Sequence, residues 1–446
     1  MSETIAFPSF EVVHPRAAGI DVGDRSHYVA VPPSTPTGLP VVRQFDTFTQ
    51  DLYAVADWLQ EHRVSTVALE STGIYWIPLF EVLEARGLTV CLVDTRRLKS
   101  VPGRKTDVKD CQWLQQLHTF GLLQSAFRPE EQLARLRTYL RQRAMLISYA
   151  SHHIQHMQKA LQQMNVKLST VLSDITGITG MTIIQAILNG ERNPVTLARL
   201  RDPRCKNSEE TIAKSLEGHW RDDHLFELRQ AVDLYQFYKQ KLLECDQQIQ
   251  TMLESLPDKD RHHALAKKRT KQNRHTPPFD ARTLLFQKTG VDLTTIDGID
   301  TNTALKVISE IGTDIRRWPT AKHFASWLCL CPGNKTSGGR VLSSKTRHSK
   351  NRAAAALRIA AQTLERSRSA MGAYFRRLKA RLGAPSAITA TAHKLARLIY
   401  TLLLHGHPYI DIGQEAFEQQ YRQRTLESLT RRAQQFGYTL TPITSS

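Results

Sequence analysis

No apolar run in this chain approaches the roughly 18 residues that a membrane span needs. The first residues, Met1-Ser2-Glu3-Thr4-Ile5-Ala6, lack the basic stretch followed by an apolar one that marks a secretory signal. Cysteine is scarce, with six scattered at 91, 111, 205, 245, 329 and 331. That argues against a disulfide framework and fits reduced thiols in a cytoplasm. Cys329 and Cys331, with His323 nearby, match no common zinc spacing, so buried thiols are expected there. Acids are in deficit: 42 Asp and Glu stand against 60 Lys and Arg, a formal net charge of +18. Such a surplus favours a polyanionic partner, nucleic acid before an anionic membrane surface. The 446 residues suffice for about two to four domains, and a hydrophobic content of 41% is ordinary for a chain with a real core.

Residues 1–16 carry two prolines and little pattern, which reads as a loose arm. Residues 17–22 read as a short buried strand bearing one acid, Asp21, and Asp24-Arg25-Ser26 as a turn. Strands follow at 28–31 and, after a Pro/Ser/Thr loop, at 41–48, giving a three-stranded antiparallel meander. Residues 52–59 are helical, with Leu52, Val55, Ala56 and Leu59 on one face. Residues 65–70 form a strand ending in Glu70, and Ser71-Thr72-Gly73 opens a helix through Arg86. A fifth strand, 88–93, precedes a helix that starts near Asp107. This order resembles the ribonuclease H-like fold. The resemblance implies that the first and fourth strands are parallel neighbours at the centre of the sheet. It sets Asp21 beside Glu70, with Asp107 and Asp110 facing them.

Within Lys105-Thr106-Asp107-Val108-Lys109-Asp110, the two aspartates are three apart and share a helical face. Close carboxylates repel unless a cation sits between them, and hard divalent ions with oxygen ligands serve best. Taken alone, the pair is an acidic first turn of a helix. Four acids converging from distant positions instead make a site for one or two Mg²⁺ ions. Gly19-Ile20-Asp21-Val22-Gly23 also fits the phosphate-binding strand and turn of sugar kinases and actin-like ATPases, which share this fold. A kinase explains neither the charge nor the paired aspartates, and no Gly-rich nucleotide loop follows.

From 129 to about 166 the chain reads as one helix, with Leu133, Leu136, Leu140, Ala144, Ile147, Ala150, Ile154, Met157 and Leu161 recurring at threes and fours. The other face carries Arg135, Arg137, Arg141 and Arg143. The pattern fits a coiled-coil arm, a dimer interface or a core helix. Residues 225–256 form a second long amphipathic helix, a candidate partner for the first. Residues 176–180 make a glycine-punctuated turn before a helix at 181–188, and 191–224 have no clear class. Between 257 and 280, Arg261, Lys267, Lys268, Arg269, Lys271 and Arg274 form a basic linker, either phosphate-contacting or a solvated tether. Ile296-Asp297-Gly298-Ile299 leads into a helix and resembles a helix-hairpin-helix element, whose turn can bind a phosphate.

Cys331-Pro332-Gly333-Asn334-Lys335-Thr336-Ser337-Gly338-Gly339-Arg340 is a polar, Gly-rich loop with one central serine, followed by Lys345, Arg347, Lys350 and Arg352. Between 335 and 381 there are thirteen Lys and Arg and a single acid, Glu365, so this is the basic, nucleic-acid-binding face. A phosphate can approach a serine flanked by glycines, held by bare N–H groups. Ser337 is then a nucleophile or only a hydrogen-bond donor, and Ser343, Ser344 and Ser349 compete with it.

Gly19-Ile20-Asp21, Leu69-Glu70-Ser71-Thr72-Gly73, Lys105 to Asp110 and Pro332 to Gly339, in that order, resemble the IS-one-ten family of insertion-sequence transposases. These are DEDD-type, bridge-RNA-guided recombinases. The resemblance implies a RuvC-like α/β domain at 1–128, a coiled-coil insertion with basic linker at 129–292, and a mainly helical transposase domain at 293–446. It makes Asp21, Glu70, Asp107 and Asp110 the Mg²⁺ ligands and Ser337 the nucleophile. It further implies donor and target DNA, a structured guide RNA, a homo-oligomer (dimer or tetramer) and a prokaryotic cytoplasm. Gly23-Asp24 departs from the family, where a serine and a lysine are common, and 185–285 carries no motif. The rival readings are a metal-only junction resolvase or nuclease, a non-catalytic nucleic-acid-binding protein, and the kinase.

Overall fold

The computed structural model describes residues 11–33, 39–93, 106–259, 264–265 and 275–441. The chain divides into two compact units, Met1–Arg128 and Pro129–Ser446. The basic residues Arg261, Lys267, Lys268, Arg269, Lys271 and Arg274, and Lys105 of the acidic motif, lie outside the described residues.

The first unit is built on a five-stranded sheet in the order β3-β2-β1-β4-β5. β1 (Ala17–Val22) pairs antiparallel with β2 (Ser26–Val31), which pairs antiparallel with β3 (Val41–Asp46). On its other side β1 runs parallel to β4 (Thr66–Glu70), with Ile20 opposite Leu69, and β4 runs parallel to β5 (Thr89–Val93). β1 is buried along its whole length except at Asp21, as a strand covered on both faces must be. Strand parity separates the two faces. Ala18, Ile20, Val22, Val67 and Leu69 share one core with Leu52, Val55 and Leu59 of α1 (Thr49–Glu61) and Leu79 and Leu83 of α2 (Trp76–Ala85). The opposite face packs Ala68 and Val93 against Leu114 of α3 (Asp107–Thr119). The expected meander and the parallel central pair are both present, and the arrangement is consistent with a ribonuclease H-like fold.

Two local expectations change. Residues 11–16 are not a loose arm: the N–H groups of Val13 and His14 both donate to Thr119 O at 2.9 Å, and the His14 ring sits 4.9 Å from that of His118. The second helix starts at Trp76 rather than Ser71. Ser71 donates from N and Oγ to Val93 O (3.0 and 2.9 Å), and Gly73 has φ of +55°, so 71–75 is a pinned turn.

The second unit is helical. Its spine is α4 (Glu131–Gln163), joined through four short helices, α5 (Leu168–Val171), α6 (Ile178–Leu188), α7 (Pro194–Arg199) and α8 (Glu209–Ser215), to the equally long α9 (Asp222–Ser255). The long helices pack antiparallel: Tyr139 O meets Cys245, Arg143 meets Asp246, and Tyr149 and His153 meet Tyr238. Met157, Leu161, Leu228 and Val232 share a core with Ile183, Ile187, Leu197 and Ile212, so the short helices cap this pair. Two long packed helices are what the structure provides of the expected coiled coil. The segment 191–224, without a class in sequence, is part of the cap. Arg143 and Asp246 form a buried ion pair at 2.5 Å, and Arg137 and Arg141 both engage Glu310 at 3.1 Å.

After α10 (Ala281–Thr289), the turn at Gly298 (φ +84°) leads into α11 (Thr301–Ile311), whose N-terminus is capped by Asp300. A Cβ on Gly298 would lie 2.8 Å from Ala360 O, so this turn is pressed against another helix. α12 (Ala321–Trp327), the hairpin β6 (Lys335–Ser337) and β7 (Arg340–Ser343), α13 (Arg352–Thr363), α14 (Ala370–Leu382), α15 (Ala384–His405) and α16 (Gly413–Gln435) complete the unit. Among the described residues no helix is long and apolar enough to cross a membrane.

Candidate active site

Asp21 has the strand parity of Gly19, and Glu70 that of Ala68, so both carboxylates leave the sheet on the face covered by α3. Gly19 sets how closely that helix lies. A Cβ at Gly19 would collide with Cys111 O and Gln115 N of the α3 backbone, so only glycine lets α3 rest on β1. Gln115, buried at 3% exposure, donates from Nε2 to Ala17 O at 3.1 Å and ties α3 to the strand. Thr106 caps the helix by accepting from Lys109 N, which fixes the first turn where Asp107 and Asp110 stand.

The other three acids act on Asp21. The carboxyl of Asp21 is pushed up from 3.8 to about 7, first by burial, then by a hydrogen bond shared with Glu70, then by the charges of Glu70, Asp107 and Asp110. Thr72 Oγ1 donates to Glu70 Oε1 at 2.9 Å and orients that carboxylate. The expected closed ligand set is not formed: among the described residues no three His, Cys, Asp or Glu side chains come close enough to hold a metal ion. Asp107 is exposed, while Asp21, Glu70 and Asp110 are half-buried. Carboxylates of like sign repel, and the four share a field without closing into a cage. Their donor set, oxygen only, is nonetheless the kind that suits a hard divalent ion.

Ser337 lies in the second unit, at the tip of a hairpin rather than in an irregular loop. It pairs with Arg340 across Gly338 and Gly339, whose φ values of +54° and +75° give a two-residue turn of the primed type. Lys335, Ser337 and Arg340 are all exposed, and among the described residues the Ser337 hydroxyl has no hydrogen-bond partner. The hairpin base is anchored by Gly333 N donating to Lys345 O at 3.0 Å and by a bridge between Pro332 and Thr346. Two competing serines serve as local acceptors: Ser343 Oγ from Lys345 N and Ser349 Oγ from Asn351 N. Lys345, Arg347, Lys350 and Arg352 are exposed, and none forms an ion pair among the described residues. Arg347 donates to the carbonyl and hydroxyl oxygens of Ser326 at 3.4 and 3.3 Å. Lys350 and Arg352 flank the start of α13, where the helix dipole disfavours cations unless an anion joins them.

The sequence reading missed Gly19, Thr72 and Gln115 as determinants of the site. Each had a signal: a glycine inside an apolar strand, a hydroxyl two residues after a strand-end acid, and a glutamine on the apolar side of a short helix. Gly23 closes the β1–β2 turn. Its N–H donates to Ser26 O, and a Cβ there would lie 2.7 Å from that oxygen.

Comparison with protein families gives two matches. Residues 18–166 match a model of the DEDD IS110 type described as Transposase, and 292–376 match one described as Transposase IS116/IS110/IS902 family. Together they span just over half of the chain. A search of curated proteins finds no match. The first match covers the sheet but for Ala17, the four acids and all of α4, and the second contains the serine hairpin. The chain belongs to the IS110 family of insertion-sequence transposases.

Proposed function

We propose that this chain is a DNA recombinase that cuts and rejoins strands through a phosphoserine at Ser337, with Mg²⁺ at the acidic cluster and a structured RNA selecting the DNA partners. The observation that carries the reading is that Asp21 and Glu70 leave a ribonuclease H-like sheet on the face covered by α3, the helix whose first turn bears Asp107 and Asp110. These four residues would hold the ion, whose charge would offset the burial and the neighbouring carboxylates that raise Asp21. When bound, it supplies positive charge against a phosphate oxygen.

The serine does the covalent chemistry. Ser337 Oγ bonds to phosphorus as the bond from phosphorus to the 3′ oxygen breaks. The serine releases its proton, and the departing oxygen takes one up as a free 3′-hydroxyl. One phosphate ester replaces another, so the reverse step rejoins DNA without ATP. Lys335, in the same strand as Ser337, and Arg340, across the turn, oppose the charge that builds on the phosphate. Lys345, Arg347, Lys350 and Arg352 hold the nucleic-acid backbone. Recombination joins two duplexes and each chain offers one such serine, which argues for a homo-oligomer, a dimer or a tetramer. The protein would read RNA shape and backbone while base pairing chooses sequence.

Sequencing the RNA that copurifies with the protein from its native host tests the guided part. One abundant species encoded beside the gene is expected. No defined RNA would leave a protein-only transposase. The metal-only nuclease predicts cleavage that survives Ser337→Ala and is lost in Asp21→Ala, whereas the serine mechanism loses both.

A further inference from the structure

The turn that leaves the acidic cluster carries an unexplained apolar lip. After Glu70 the chain reads Ser71-Thr72-Gly73-Ile74-Tyr75, with no cation to hold a phosphate. Ser71 is tied to Val93 O and Thr72 to Glu70, so the turn is fixed to the site. Beyond it, Ile74 is 71% exposed and Tyr75 46% exposed. Their neighbour Trp76 is half-buried, packed edge-on to Phe80 at 5.8 Å and under the Arg128 guanidinium. Tyr75 has neither support: among the described residues its ring has no ring or cation partner and its hydroxyl no hydrogen bond. The ring is still not adrift. Its Cδ2 and Cε2 lie 3.3 Å from where a Gly73 Cβ would stand, so one side rests on the glycine while about half of the residue stays exposed. Gly73, at φ +55°, both makes the turn and leaves room for the ring.

We infer that Tyr75, with Ile74 exposed beside it, is a stacking platform for a nucleobase beside the scissile phosphate, and so a positioning residue for the strand. The inference rests on the recombinase reading above. An exposed ring on a pinned turn has already lost most of the freedom that stacking would cost it. Every base presents a π-face, so such a platform is indifferent to sequence, as a protein that leaves sequence choice to base pairing requires. Tyr75 lies five positions after Glu70, at most about 17 Å of extended chain. With a rise of about 3.4 Å per nucleotide along one strand, the stacked base lies within about five nucleotides of the phosphate at the acids.

The test uses the full chain and a single-stranded mixed-sequence oligonucleotide carrying 5-iodouracil. Irradiation should give an adduct that mass spectrometry maps to Tyr75. Tyr75→Ala should weaken binding by about fivefold or more at fixed salt, the lower end of a base–aromatic stack. The salt slope should stay unchanged, because the substitution removes no charge from the phosphate backbone's partners. Tyr75→Phe keeps the π-face and should bind like wild type. If the oligonucleotide binds wild type, yet the Tyr75 peptide stays unmodified and Tyr75→Ala binds equally well, the platform is refuted while the recombinase reading stands. If wild type binds no oligonucleotide at low salt, the nucleic-acid reading fails and takes the platform with it.

Discussion

Replacing Asp21 by Asn should abolish activity and yet stabilise the unit that carries the acids. Asp21 holds its proton up to about pH 7 in the folded chain, against 3.8 ordinarily. Between those values the folded state binds a proton that the unfolded state has released, so stability falls as pH rises through this window. The destabilisation is absent below about pH 4 and complete above about pH 7. At full weight the rise corresponds to about 4 kcal/mol. Asp21 is partly open to water, and screening reduces this to about 1–3 kcal/mol. Asn removes the charge while keeping a donor for Glu70. In chelator at pH 8, calorimetry of the full chain should show the first unit of Asp21→Asn melting roughly 4–12 °C above wild type. At pH 4 the two should coincide. Adding Mg²⁺ should narrow the gap at pH 8, because binding to the native state stabilises wild type in proportion to its affinity. A variant that melts at or below wild type at pH 8 would refute the claim that burial and the neighbouring carboxylates penalise the ionised Asp21.

Gly19→Ala forces a methyl into the α3 backbone and should cost about 3 kcal/mol or more, read as lost soluble yield or a lowered melting point of the first unit. Arg143→Ala leaves Asp246 buried and unpaired and should cost about 3–5 kcal/mol in denaturant titrations. Arg143→Met with Asp246→Leu should recover most of that loss. Lys350→Ala combined with Arg352→Ala should lower the salt dependence of nucleic-acid binding, the log–log slope falling by about 0.7–0.9 for each phosphate no longer neutralised. An unchanged slope would place these cations outside the interface.

The α/β unit was legible because its strands are short apolar runs between turn residues, and the resemblance of their order to the ribonuclease H-like fold implies which acids face one another. Boundaries failed where a bond rather than a propensity decides them. Ser71-Thr72-Gly73 resembles a helix start, but Ser71 is held by Val93 O and the helix waits until Trp76. The packing of α3 turns on a missing Cβ at Gly19, which periodicity does not register. Helices α7 and α8 bury only a few apolar side chains each against the cap core, too few for a stripe in the sequence. At Ser337 the Gly-Gly pair was visible, but its reading as a loop overlooked that two adjacent positive φ values between polar strands make a hairpin.

The central claim is that Ser337 becomes covalently joined to DNA. Wild-type protein with its copurified RNA and matching DNA should be quenched in denaturant, digested, and the peptide containing Ser337 weighed. The account predicts a nucleotide 5′-phosphate on Ser337, absent in Ser337→Ala and in Asp21→Asn. Strand cleavage with no adduct, or with the adduct on Ser344, would contradict it.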